Sequence, residues 1–276
     1  MLLLQSIWTV AWKSLLFLIV WAIPLALLIV PFQAQLSRIQ KTNPPLAQLY
    51  IEAISAITIV LAAFLLVTFI DKRPFVSLGF DLTHGLRDTI LGLLIGALWL
   101  ALSLGVLSLL GLASPQESNP ISLPILALGG IASLLNVVTQ EMLVRGYIFQ
   151  TVQTHFGAIA ALLLSSIFFV ALHAGAIRNS WLAALNVLGA GLLFGIAYLV
   201  SKNLWLPMAI HFAWNFALGP VLGLSLSGQN PFRVHWQFLR IDGPSILTGG
   251  RFGVEGSLIV TFTTIIFIIG LIWLYR

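Results

Sequence analysis

Gln140, Glu141, Arg145, His173, His211 and Asn215 are polar side chains set in stretches that otherwise suit hydrocarbon. A carboxylate and two imidazoles can move protons or ligate a cation. A carboxamide can donate to a developing oxyanion. An ionisable group near a bilayer centre costs about 2.5–3.5 kcal/mol even on lenient insertion scales, which makes each a functional candidate. Each also has a bland reading. Glu141 and Arg145 are four apart and can pair on one helix face. A histidine closing a helix, as His173 does, is commonly interfacial. His211 and Asn215, also four apart, can act as interhelical hydrogen-bond glue. Taken together in one cavity, they form a plausible hydrolytic site.

The elements that would carry them are membrane helices. The chain is 59% hydrophobic and 8% charged, against about 25% charged in soluble domains. About 20 apolar residues span a bilayer, and only helices or closed barrels satisfy the backbone there. The runs are too long and continuous for barrel strands. The expectation is an all-α, polytopic protein of about eight transmembrane helices, forming a single membrane domain over residues 1–276. The spans are expected near 14–32, 51–70, 86–112, 124–153, 158–173, 181–200, 204–224 and 258–275. Residues 33–49, 114–122 and 225–257 read as polar connections, the last with a flexible glycine-rich re-entry at Gly249, Gly250 and Gly253. The start of the chain reads as a retained helix rather than a cleaved signal.

The net charge is +5, and the 13 basic residues are scattered. That pattern suits lipid head groups and no nucleic acid. The absence of cysteine removes disulfides, thiolate catalysis and Cys-ligated metals. Lys72, Arg73 and Arg87 place the second connection in the cytoplasm by the positive-inside tendency, with both termini inside. Arg38, Lys41 and Arg178 then fall outside. An integral, multi-pass protein of the cell or inner membrane is expected. Counting 1.5 Å per residue from the turn near His155 puts Glu141, His173 and His211 about 18, 25 and 12 Å from one face. They can therefore meet inside the membrane.

The strings Gln140-Glu141-Met142-Leu143-Val144-Arg145, Phe169 to His173, and His211 to Asn215 resemble the CAAX protease and bacteriocin-processing enzyme family (CPBP, or Abi). Its members are intramembrane, glutamate-dependent, type II CAAX prenyl endopeptidase-like proteins. Gly146 after Arg145, and Lys72-Arg73-Pro74 ahead of Leu78-Gly79, add to the resemblance, which covers about residues 70–220. It implies an endopeptidase that cleaves a membrane-anchored protein or peptide, prenylated or leader-bearing, by water attack. The position of Gln140 and His173 would hold and activate the water. His211 and Asn215 would stabilise the oxyanion, and Arg145 would fix Glu141. No cofactor is expected. Zinc held by Glu141, His173 and His211 is the alternative, although there is no His-Glu-x-x-His helix.

The sequence departs from the family pattern at one point: the first glutamate of the Glu-Glu pair is Gln140. An amide can hydrogen-bond a water but cannot take its proton. Glu141 could act from the next position, the chain could be a non-catalytic adaptor or bacteriocin-immunity-type protein, or the glutamine could be an engineered exchange. A transporter with Glu141 and Arg145 on a proton path is a third class, without the inverted repeat that would support it. Glu52 and Asp88 lie at span ends and are expected to face head groups. His84, His155 and His235 fall in connections. Trp8, Trp12, Trp21, Trp205 and Trp273 suit interfacial belts, and Glu255 suits the start of the last helix.

Overall fold

A computed structural model describes residues 1–177, 180–233 and 235–275. Arg178, invoked above for orientation, lies outside the described residues. Among the described residues the architecture is all-α, with one two-stranded ribbon. Helix α1 (Leu2–Ile29) runs through a 3-10 turn into α2 (Gln33–Thr42). Helix α3 (Pro44–Leu65) continues as a π-helical turn, Leu66–Ile70. Helix α4 covers Gly85–Leu109. Helix α5 (Leu123–Glu141) passes through a π-helical segment, Met142–Ile148, into α6 (Phe149–Leu172). After the short α7 (Ala174–Ile177) come α8 (Trp181–Ser201) and α9 (Trp205–Phe216), then α10 (Ser245–Thr248) and α11 (Leu258–Leu274).

Among the described residues, five stretches are long and apolar enough to cross a membrane: Leu2–Thr42, Pro44–Ile70, Gly85–Leu109, Leu123–Leu172 and Trp181–Ser201. Leu258–Leu274 is a shorter apolar helix. The 50-residue stretch holds the two spans expected over 124–173. They part at Gly157, whose φ of 81° and ψ of 173° leave the helical region in a way that favours glycine. The chain is an integral, multi-pass membrane protein.

The expected connection at 33–49 is helical instead. Asn43 accepts the Leu46 amide, and Pro44 and Pro45 occupy the first helical turn, where their missing N–H groups are not needed. Residues 114–122 and 225–257 are not plain loops either. Strand β1 (Ala113–Pro115) pairs antiparallel with β2 (Leu239–Ile241), in register Ala113 to Ile241. The glycine-rich re-entry is folded into α10 and two 3-10 turns.

Helix α9 is held tightly against α4. A Cβ on Gly92 would lie 2.6 Å from Ala209 Cβ, and one on Gly96 would lie 2.4 Å from the Ile210 carbonyl oxygen. Small residues four apart let the two backbones approach, as in other membrane helix pairs. The start of α9 is pinned as well. Asn203 Oδ1 accepts the amides of Trp205 and Leu206, and its Nδ2 donates to Asp88 Oδ2 at 2.6 Å. Asp88 is thus fully buried and paired with Arg87 at 2.8 Å, not turned to head groups as expected. Leu204 N donates to the Gly79 carbonyl, so the loop after Lys72-Arg73-Pro74 also braces this helix.

Candidate active site

A cavity of about 410 Å³ opens among α3, α5, α6, α8 and α9. Gln140, His173, His211 and Asn215 line it, together with Glu52, Asn136, Trp99 and Trp214. Glu141 and Arg145 do not line it. Adjacent helix residues point about 100° apart, so α5 turns Gln140 to the cavity and Glu141 to the packed interior.

On the interior side, Arg145 Nη1 donates to Glu141 Oε1 at 3.1 Å and Nη2 donates to the Gly191 carbonyl at 2.9 Å. The guanidinium lies 4.6 Å from the centre of the Phe169 ring and 5.5 Å from that of Phe194. His211 Nδ1 lies 2.9 Å from the same Glu141 Oε1. A carboxylate only accepts, so this nitrogen carries the hydrogen. The His211 ring stacks on Phe194 with centroids 4.6 Å apart. Glu141 therefore orients His211 from behind and is itself held by Arg145.

On the cavity side, His173 Nδ1 lies 2.8 Å from the Phe169 carbonyl oxygen. A carbonyl cannot donate, so Nδ1 is the protonated nitrogen and, in the neutral ring, Nε2 keeps its lone pair. The first residue of the Phe-x-x-x-His string thus fixes the tautomer of the last. Gln140 Nε2 donates to Asn136 Oδ1 at 2.9 Å, and Asn136 Nδ2 donates to Glu52 Oε1 at 3.0 Å.

The second carboxylate of the cavity wall is Glu255. Its Oε1 accepts Trp214 Nε1 at 3.0 Å, and its Oε2 accepts the Ser227 amide. Asn186 holds this segment to α8 through the carbonyls of Glu255 and Ser257, at 2.7 and 2.8 Å. Loss of hydration pushes the Glu255 carboxyl up to about 7, against the smaller lowering effect of these hydrogen bonds. Two expectations are corrected here. Glu52 faces the cavity, because α3 packs on α5 with that side inward. Glu255 also turns inward rather than capping α11, whose first turn is capped by Ser257.

The proposed ligand set of Glu141, His173 and His211 is not assembled. Glu141 Oε1 is taken by Arg145 and His211, and His173 Nδ1 by a backbone carbonyl. Among the described residues no three histidine or acidic side chains are grouped to hold a metal ion. Trp21, expected in an interfacial belt, lines the cavity, whereas Trp8 and Trp273 are exposed on the outer surface.

Residues 122–217 match the family model described as type II CAAX prenyl endopeptidase Rce1-like. Over that segment, about a third of the chain, the sequence is similar to the Rce1-like family. The matched segment runs from the residue before α5 to just past α9 and contains all six motif residues. Glu52 and Glu255 lie outside it. The match supports, at the level of the family, a CAAX-type intramembrane protease. No curated protein and no solved structure matches the chain.

Proposed function

We propose that the chain is an intramembrane endopeptidase that hydrolyses a peptide bond of a membrane-anchored protein, prenylated or leader-bearing, by direct attack of water. The observation that supports this reading is that Gln140, His173, His211 and Asn215, brought by three separate helical segments, line one interior cavity. His173 Nε2 takes a proton from the attacking water, since its Nδ1 is occupied, and returns it to the amine nitrogen as the C–N bond breaks. Gln140 accepts the water's other hydrogen and holds it in place without taking a proton. Asn215 Nδ2 donates to the oxyanion. His211 joins it only as the imidazolium, because its Nδ1–H is committed to Glu141. Arg145 keeps the Glu141 carboxylate, and through it the His211 ring, in position. No step needs a cofactor.

General-base catalysis contributes about 10²–10⁴-fold. Gln140→Glu, which puts a second proton acceptor beside the water, is expected to raise cleavage of a membrane-tethered peptide, by less than that full factor because His173 already serves as base. His173→Ala should abolish cleavage in either background, and unchanged cleavage in His173→Ala would overturn the mechanism. The inability of Gln140 to accept a proton favours a second reading, a non-catalytic membrane adaptor on the same fold. It predicts no turnover from either residue at 140, and biological function retained after alanine replacement of His173 and His211.

A further inference from the structure

Position 140 is tied to a carboxylate that lies outside the motifs. Glu52 sits on α3, Asn136 and Gln140 lie four apart on α5, and all three line the cavity. The two hydrogen bonds that join them run in one direction. Gln140 Nε2 donates to Asn136 Oδ1, and Asn136 Nδ2 donates to Glu52 Oε1.

The direction has a physical origin. An ionised carboxylate has acceptors only, whereas a carboxamide has an acceptor at one end and donors at the other. Glu52 therefore obliges Asn136 to turn its NH₂ toward α3. That leaves Asn136 with its oxygen toward Gln140, which must answer with its own NH₂. The Gln140 oxygen is what remains: it is buried and, among the described residues, has no hydrogen-bond partner. A glutamine with no such neighbour could present either end, since the two have nearly the same shape.

We infer that Glu52 is a positioning residue for the cavity: through Asn136 it fixes Gln140 so that its carbonyl oxygen, and not its NH₂, is left to accept from a hydrogen-bond donor. What that donor is rests on the hydrolytic reading, where it is the attacking water. The polarity itself rests on the three side chains, with Glu52 as the carboxylate.

The same chain sets a condition on the residue at 140. With Gln140→Glu alone, one amide stands between two carboxylates. Asn136 can donate to one of them but must then turn its oxygen on the other, unless a carboxyl takes up a proton. Exchanging both positions, Glu52→Gln with Gln140→Glu, removes the conflict by reversing the whole chain. The amide installed at 52 donates to Asn136 Oδ1, and Asn136 donates to the carboxylate installed at 140.

The test compares four full-length proteins in one detergent: wild type, Glu52→Gln, Gln140→Glu and the double exchange. Thermal midpoints and cleavage of a membrane-tethered peptide are measured for each. Gln140→Glu is expected to lower the midpoint by about 2–4 °C or more, on the usual scaling for a chain of this size. Adding Glu52→Gln should restore it, although Glu52→Gln raises nothing in the wild-type background. The double exchange should cleave several-fold faster than Gln140→Glu alone. Additive midpoints, with Glu52→Gln acting equally in both backgrounds, would overturn the inference whatever the activities. A reversal of sign in the midpoints without cleavage by any of the four would uphold the polarity and remove the hydrolytic reading instead.

Discussion

Arg145→Met isolates the energetics of the interior side of α5. Both Arg145 and Glu141 side chains are fully buried, and Arg145 spends one nitrogen on Glu141 and another on the Gly191 carbonyl. Methionine fills much of the same volume and can still touch Phe169 and Phe194, so the packing loss is small. The electrostatic loss is not. Glu141 keeps only His211 as a partner, in a place without water. Removing one member of a buried pair costs about 3–5 kcal/mol, chiefly as the penalty of the charge left behind. At the shallow end of the usual scaling, that corresponds to a fall of roughly 6–10 °C in thermal midpoint. The nine tryptophans of the chain provide a fluorescence signal for unfolding in a mild detergent. Glu141→Gln in the Arg145→Met background removes the stranded charge while keeping an oxygen for His211 Nδ1. The double variant should therefore recover most of the loss. A fall under about 2 °C in Arg145→Met, or a double variant less stable than the single, would refute the view that the pair is held together by charge compensation.

Two further substitutions test the parts around the cavity. Gly96→Ala should destabilise by about 1–3 kcal/mol through overpacking against Ile210, whereas Gly105→Ala, whose added carbon meets nothing within 4 Å, should be neutral or better; equal effects at the two sites would argue against the close α4–α9 crossing. Glu255 should make stability depend on pH. Its folded value near 7 lies above its ordinary 4.5, so the folded chain binds this proton more readily than the unfolded one. Stability is then full below about 4.5 and is lost as pH rises through about 7. Glu255→Gln should flatten this slope, and a slope unchanged in Glu255→Gln would place its origin elsewhere.

The helices and the order of the motifs were legible in the sequence because both follow from local patterns. Long apolar runs admit few alternatives in a bilayer, and the i, i+4 spacings of Glu141 with Arg145 and of His211 with Asn215 put each pair on one helix face. The start of α3 was also legible in principle, since Asn43 before Pro44 and Pro45 is a helix-start signal. Its surroundings read as a loop because they are polar. Which face of α5 meets the cavity was not legible. The 100° step separates Gln140 from Glu141, but only packing against α3, α8 and α9 decides which of them is wet. Glu52 and Glu255 were missed for the same reason. Each stands near a span end, where the head-group reading is the default, and each is drawn inward by a partner far away in the chain. A usable signal existed for Glu52: Asn136, four residues before Gln140 in an apolar helix, is a polar group in need of a partner.

The division of labour between neighbours on α5 also bears on how such a chain changes over evolutionary time. Glu141 holds Arg145 and His211 from the interior side of α5, so losing Glu141 or Arg145 endangers folding before it affects chemistry. Gln140 faces the cavity, and replacing it leaves that cluster untouched. Selection for a folded protein alone would then preserve the interior cluster in descendants that no longer cleave anything, while position 140 drifted. On the hydrolytic reading, the Glu-x-x-x-Arg pair therefore reports an intact core, and the pair formed by residues 140 and 173 reports whether that core can act on a substrate.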